Sequence, residues 1–196
     1  MSEYPAEFDL KGTRVTLRPF APADLMALQD FAQAMPLHDL LFLDADIQKP
    51  EVLVEWAKAV IDGQIISLVA FDGPRVVGTA AIVRDRLGWS QHVAEMHLLV
   101  AEAYRGLGLG RTLLQHAFTM AVDGGAEKLC ARMTPDQKGA ISMFEEMGFR
   151  QEALLTDHVR ERGGDVHDLA VYSYNVGRIG ARHGADGFAG LYPDHE

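Results

Sequence analysis

Apolar and polar positions along this chain change period repeatedly, and each change predicts an element. Thr13 to Arg18 alternates in the way a half-buried strand does. From Pro22 to about Met35 the spacing becomes helical, with Asp24 placed in the positive first turn. Pro50 suits the first position of a second helix that runs through Val60. Ile65 to Phe71 and Arg75 to Arg84 read as strands joined by Asp72-Gly73-Pro74, a hairpin signal. His92 to Val100 reads as a strand, and Gly108 to Asp123 as a helix ended by Gly124-Gly125. Lys128 to Met133 is a further strand, and Gln137 to Met147 a helix stopped by Gly148. Leu154 to Arg160 and Val166 to Tyr174 pair across Arg162-Gly163. Residues 1 to 12 read as a loose lead-in. Residues 36 to 49 form an uneven loop too apolar for plain solvent exposure.

The order β-α-α-β-β-β-α-β-α-β-β predicts a mixed α/β layout, with neither a repeat nor an interdomain linker. Residues 1–176 are therefore expected to form one domain. Residues 177–196 form a glycine-rich tail, whose Phe188, Leu191 and Tyr192 are available to dock on the body or on a partner.

The stretch Arg105-Gly106-Leu107-Gly108-Leu109-Gly110-Arg111 lies between a predicted strand and a predicted helix. Such a turn presents backbone N–H groups at a positive helix end, which suits phosphate. Gly106, Gly108 and Gly110 carry no Cβ to hinder close approach, and their amides can form a nest. Leu107 and Leu109 are expected to anchor the loop on the core. Arg105 and Arg111 are expected to add charge-assisted bonds to phosphate oxygens. The dinucleotide fingerprint would need glycine at position 111, where Arg111 stands. The Walker pattern would need Gly-Lys-Ser/Thr, which is absent.

The run Glu95 to Leu114, centred on Arg105-x-x-Gly108-x-Gly110, resembles the Q/R-x-x-G-x-G/A signature of the GNAT N-acetyltransferase superfamily. Downstream, Gln137-x-x-Ala140-x-x-x-Phe144-x-x-x-Gly148-Phe149 resembles that family's N-x-x-A-x-x-x-Y-x-x-x-G-F block. Two blocks in order and at the right spacing carry more weight than either alone. The resemblance covers about residues 13 to 175. It implies a mostly antiparallel central sheet with helices on both faces. The strand pair 92–100 and 128–133 would splay apart to admit acetyl-CoA, whose pantetheine amides pair with the freed backbone.

Within that resemblance, Leu98, Leu99, Val100, the run Arg105 to Arg111, Gln137 and Phe144 are the expected acetyl-CoA contacts. The implied reaction is direct transfer of acetyl to a primary amine: a small amine, an amino acid, or a protein lysine or N-terminus. A lysine-like amine, with pKa near ~10.4, needs a base or a water path to one. Strand alternation puts Glu95, His97 and Leu99 on one face. Glu95 is the first candidate base and His97 the second. A backbone N–H at Leu99 or Val100 would polarise the thioester carbonyl.

Phe144 stands where many relatives place a tyrosine that protonates the leaving thiolate, and it has no proton to give. Water, Tyr172 or Tyr174 are the substitutes. The same departure motivates an alternative reading, a GNAT-fold module that binds CoA with little turnover. The loop His38-Asp39 to Asp44-Ala45-Asp46 is an expected acceptor wall.

Composition narrows the surroundings. A chain of 196 residues, 48% hydrophobic and 23% charged, suits one soluble core. There is no apolar run of membrane-spanning length and no signal-peptide pattern, so no membrane partner is expected. A net charge of -10 without a basic stripe argues against nucleic acid and favours basic partners. The single cysteine, Cys130, excludes an intrachain disulfide and fits a cytoplasmic setting. Cys130 is expected to be a small buried hydrophobe, and Trp56 and Trp89 to pack. The apolar tail makes a homodimer possible. A turn at Arg162-Gly163 would place His158 opposite His167 and Asp157 opposite Asp168. We read those as solvated hairpin pairs or as part of an acceptor wall, and assign no metal.

Overall fold

A computed structural model describes residues 4–85 and 87–177. The chain forms β1 (Ala6–Leu10), β2 (Thr13–Pro19), α1 (Leu25–Ala34), α2 (Pro50–Ile61), β3 (Ile65–Asp72), β4 (Arg75–Val83) and β5 (Val93–Val100). It continues as α3 (Leu109–Asp123), β6 (Lys128–Met133), α4 (Lys138–Glu146), β7 (Arg150–Arg160) and β8 (Val166–Asn175). One eight-stranded sheet takes the order β1-β2-β3-β4-β5-β6-β8-β7. All its pairs are antiparallel except β5 with β6.

Strand alternation sorts the core into two layers. On one face Ala70, Val77, Ile82, Ala94 and Met96 pack against Leu109, Leu113, Leu114 and Ala117 of α3 and Phe144 of α4. On the other, Val69, Phe71, Val76 and Leu99 pack against Leu28 and Phe31 of α1 and Leu53 and Ala57 of α2. The apolar loop after α1 belongs to this second layer, with Leu40 and Phe42 buried. Helices thus cover both faces, as the resemblance implied.

Three expectations need correction. The lead-in contains β1, which pairs with β2 across a tight turn where Lys11 has φ 56° and Gly12 φ 92°. The alternation of Ala6 to Leu10 is only half-buried, so its apolar signal is weak. Trp56 packs edge-on against Phe20 as expected, but Trp89 is fully exposed on the loop between β4 and β5. The β7–β8 ladder also shifts. Asp157 adopts a left-handed φ of 51° and its N–H donates to Asp168 Oδ1 at 2.9 Å. That bulge places Val159, not His158, opposite His167. The tail from residue 178 onward, with Phe188, Leu191 and Tyr192, lies outside the described residues.

Candidate active site

The parallel pair at the centre of the sheet is short. β5 and β6 pair only at Val93–Lys128, Ala94–Leu129 and Glu95–Cys130. Beyond Glu95, β5 stays paired with β4 as far as Val100, and β6 stays paired with β8 as far as Met133. The two strands therefore part into a wedge.

Backbone parity says which groups the wedge leaves open. The His92 carbonyl accepts from the β6 side, while the Ala101 N–H donates to Val77 on the β4 side at 2.9 Å. Even-numbered β5 residues thus direct N–H and C=O toward β6. Past the last pair these are the amides of Leu98 and Val100. The same reasoning on β6, where Glu127 O accepts from Val176, turns the Arg132 backbone toward the wedge.

A cleft of about 850 Å³ fills the wedge and continues over the glycine loop. Leu98, Leu99, Val100, Arg105, Gly106, Gly108, Gly110, Arg111, Gln137 and Phe144 line it, which places ten of the expected contacts on one surface. Leu107 and Leu109 do not line it. Leu109 is buried in the core and Leu107 packs against that core, so they anchor the loop.

Gly108 has φ 102°, a left-handed conformation that strains other residues, and it caps α3. An added Cβ there meets nothing within 4 Å, so the bare backbone faces open space. The first helical bond runs from the Thr112 N–H to Gly108 O at 3.1 Å, which leaves the amides of Leu109, Gly110 and Arg111 ahead of the ladder. Gly110 serves packing: a Cβ there would lie 3.2 Å from Met143 Sδ of α4. An open nest, a wedge with free amides and a narrow α3–α4 seam together fit a diphosphate joined to an amide-bearing arm.

The loop arginines are already engaged. Arg105 donates to Asp39 Oδ2 at 2.5 Å and to the Val100 carbonyl at 3.2 Å. Arg111 pairs with Glu146 of α4. Lys138 also lines the cleft and has no ion pair among the described residues. Lys11, from the β1–β2 turn, donates to Gly106 O at 2.9 Å. The Gln137 side-chain carbonyl accepts from the Thr134 N–H at 3.2 Å, closing the β6 end of the wedge. Phe144 is buried edge-on against Phe149. Tyr172 is buried, and burial pushes its phenol up; it lines no part of the cleft. Tyr174 packs edge-on against Phe118 and at a tilt against Phe149.

Glu95 and His97 do share a face of β5, but neither lines the cleft. His97 Nε2 lies 3.0 Å from Glu95 Oε1, and the Arg132 guanidinium donates to the same oxygen. Arg132 lines the cleft and also pairs with Asp44 at 2.8 Å. Phe42, another cleft residue, stands edge-on to His97 at 5.7 Å. Burial works against ionisation of Glu95, but His97 and Arg132 outweigh it and hold the carboxyl below its ordinary range. Cys130 is half-buried, and burial pushes its thiol up, which suits a packing role.

The expected acceptor wall does reach the cleft, through His38, Asp39 and Phe42. His38 Nδ1 lies 2.9 Å from Glu161 Oε1, and its Nε2 lies 2.8 Å from Asp136 Oδ2. The Glu161 hydrogen bond, opposed by burial and assisted by Asp136, holds the His38 imidazole above its ordinary range. Arg132, Asp136, Lys138 and Met143 are cleft residues that sequence reasoning missed. For Arg132 a signal existed: alternation on Lys128 to Met133 separates it from Ala131 and Met133 and puts it on the Glu95 side.

Comparisons with known proteins agree with the fold. The model of the Acetyltransferase (GNAT) family matches residues 31–149. A putative phosphinothricin acetyltransferase, YwnH, of Bacillus subtilis is 24% identical over 80% of this chain and 96% of its own length. A mycothiol acetyltransferase of Corynebacterium efficiens is 31% identical over 42% of this chain, a match that spans only 27% of that protein. Among solved structures, the putative acetyltransferase yncA of Salmonella typhimurium, with its cofactor acetyl-CoA, superposes with a TM-score of 0.70. That alignment has 21% identity and covers 93% of this chain and 99% of the other. A spermidine N-acetyltransferase of Vibrio cholerae, in complex with CoA and spermine, superposes with a TM-score of 0.68. It is 18% identical, with 83% and 96% of the two chains covered.

Proposed function

The chain belongs to the GNAT acetyltransferase family, and on that premise we propose that it moves the acetyl group of acetyl-CoA to a primary amine. The observation that carries this reading is the continuity of one cleft from the splayed β5–β6 wedge to the glycine nest. Acetyl-CoA supplies an activated thioester carbonyl; the residues of this chain bind it, orient it and manage protons.

The amides of Gly106 to Arg111 hold the diphosphate, with Lys138 as the free cation nearby. The Leu98 backbone pairs with the pantetheine arm. Parity favours the Val100 N–H over that of Leu99 as the donor to the thioester oxygen, because Leu99 directs its amide to β4. Glu95 is ionised and pinned by Arg132, so it serves best by orienting His97, and the imidazole takes the proton of the incoming amine. Phe42 stands between His97 and the cleft, so the amine proton reaches the imidazole through water. Phe144 lines the cleft and gives no proton, so the thiolate departs as such or takes a proton from water. With pKa near ~8.5, a thiolate leaves tolerably at neutral pH.

The acceptor enters past Met35, His38, Asp39 and Phe42, and the net charge of -10 favours a cationic molecule. Small amines, polyamines, amino acids and lysine-bearing peptides are the class. Phe144 also supports a second reading, a CoA-binding module with little turnover. Incubation of the protein with acetyl-CoA, a thiol-reactive dye and a panel of these amines separates the two. Amine-dependent CoA release establishes the transferase. Tight CoA binding without release on every acceptor establishes the module.

A further inference from the structure

Beside the cleft, three elements bring imidazole and carboxylate groups to one point. His38 lies on the 3-10 turn Leu37–Leu40, Glu161 on the turn after β7, and His167 on β8. One ligand atom from each falls within 4.8 Å of the others, and the His38 and His167 rings meet edge-on at 4.9 Å. Both imidazoles approach the same oxygen: His38 Nδ1 at 2.9 Å and His167 Nε2 at 3.0 Å from Glu161 Oε1. The His167 Nε2 atom is buried, and despite that distance no aligned hydrogen bond satisfies it. A buried ring nitrogen beside a carboxylate oxygen but without an aligned hydrogen bond to it is uncommon, and an ion bound between the two is one way to satisfy both.

The far side of His38 strengthens the pattern. Its Nε2 faces Asp136 Oδ2 at 2.8 Å, with Thr134 Oγ1 at 3.3 Å. A metal-bound imidazole typically donates its other N–H to a carboxylate in this way, which fixes the tautomer and raises ligand basicity. Two imidazoles and one carboxylate suit a zinc-class cation, leaving a further position open. Tetrahedral coordination with bonds near ~2.1 Å spaces ligand atoms by about 3.4 Å, so an ion entering the cluster need only ease Glu161 away from the two imidazole nitrogens, now 2.9 and 3.0 Å from it, within a group that already spans less than 4.8 Å.

We propose that His38, Glu161 and His167 form a site for a divalent transition-metal cation of the zinc class, with Asp136 holding His38 in its ligating tautomer. The site joins the Leu37–Leu40 turn to the β7–β8 hairpin, so occupancy pins the acceptor wall of the cleft.

Protein stripped with a chelator, dialysed and titrated with Zn²⁺ against a chromophoric competitor tests this, with Co²⁺ absorption as the coordination readout. One Zn²⁺ per chain at micromolar affinity or tighter is expected, with a tetrahedral-type Co²⁺ spectrum. E161Q and H167Q should each weaken binding more than about 10-fold, and D136N by about 10–100-fold. C130S should bind as the parent does. Circular dichroism in chelator shows whether each variant is folded, and E161Q, on the turn after β7, serves if H167Q is not. Absence of Zn²⁺ binding by the folded parent, or parent-like binding by a folded E161Q, overturns the proposal. Loss of binding in C130S also overturns it.

Discussion

Glu95 and His97 lie two residues apart on β5, and their contacts divide the proton work between them. The Glu95 carboxylate accepts from Arg132 and sits 3.0 Å from His97 Nε2, so it stays ionised below the range of a free carboxyl. An anion so well stabilised is a weak proton acceptor and a good orienting group. E95Q should therefore reduce kcat by about 10²–10⁴-fold, the span ascribed to general-base catalysis, while acetyl-CoA affinity changes little. His97→Gln should cost as much, and the double variant no more than the worse single one, since the two act as a unit. Steady-state kinetics with direct CoA titration checks this. A double variant whose losses multiply would show that Glu95 and His97 act separately.

At the scale of elements, the entry to α1 rests on one partly buried ion pair. Arg18 of β2 meets Asp24 in a bidentate contact at 2.6 and 2.7 Å, and the Ala21 N–H donates to the same carboxylate at 2.8 Å. The Arg18 guanidinium also lies 4.3 Å from the centre of the Phe71 ring. The Arg18 hydrogen bond, against burial and with help from Ala21, holds the Asp24 carboxyl below its ordinary range. A depressed folded-state pKa stabilises above the unfolded value near ~3.9, and that contribution is lost as pH falls through the folded value. D24N should cost roughly 1.5–3 kcal/mol at pH 7, a fall in Tm of about 3–12 °C. The gap between parent and variant should narrow below about pH 4 in thermal melts. A pH-independent gap would mean that the loss is one of packing.

The sequence shows Asp24 as a helix-start residue, but nothing in it pairs Asp24 with Arg18 across a strand end. The same holds more widely. β2 to β8 and the four helices are legible because period and punctuation are local. β1 is not, because half-burial blurs its alternation, and neither is the β7 bulge, because one left-handed residue at Asp157 resets the register. The glycine nest is legible because its chemistry lies in consecutive residues. The Asp39–Arg105 and His38–Glu161 contacts are not, because they join residues 66 and 123 positions apart.

For the whole molecule, the wedge makes donor binding a matter of global stability. Within the sheet, β5 and β6 join β1–β5 to β6–β8 through three residue pairs, side chains such as Arg132 cross from one half to the other, and the open part of that seam is lined by backbone with no strand partner. A molecule that pairs with both the nest and the wedge binds the native state and not the unfolded one. At ~100 times its Kd such a ligand adds about 2.7 kcal/mol, which raises Tm by roughly 5–11 °C for a chain of this size. The chain carries a formal charge of -10, so its long-range field does not draw in an anionic donor. The attraction must come from groups within about a Debye length, ~8 Å at physiological salt, and the loop amides are the main ones. Pantetheine, which lacks the diphosphate, should therefore give only a small part of the shift produced by CoA at equal concentration. Gly108→Asp places a carboxylate and a strained left-handed residue at the nest, so it should abolish the CoA shift while leaving that of pantetheine. Differential scanning fluorimetry of both proteins with both ligands measures all four values. Equal shifts from CoA and pantetheine in the parent would assign binding to the wedge alone and remove the loop from the site.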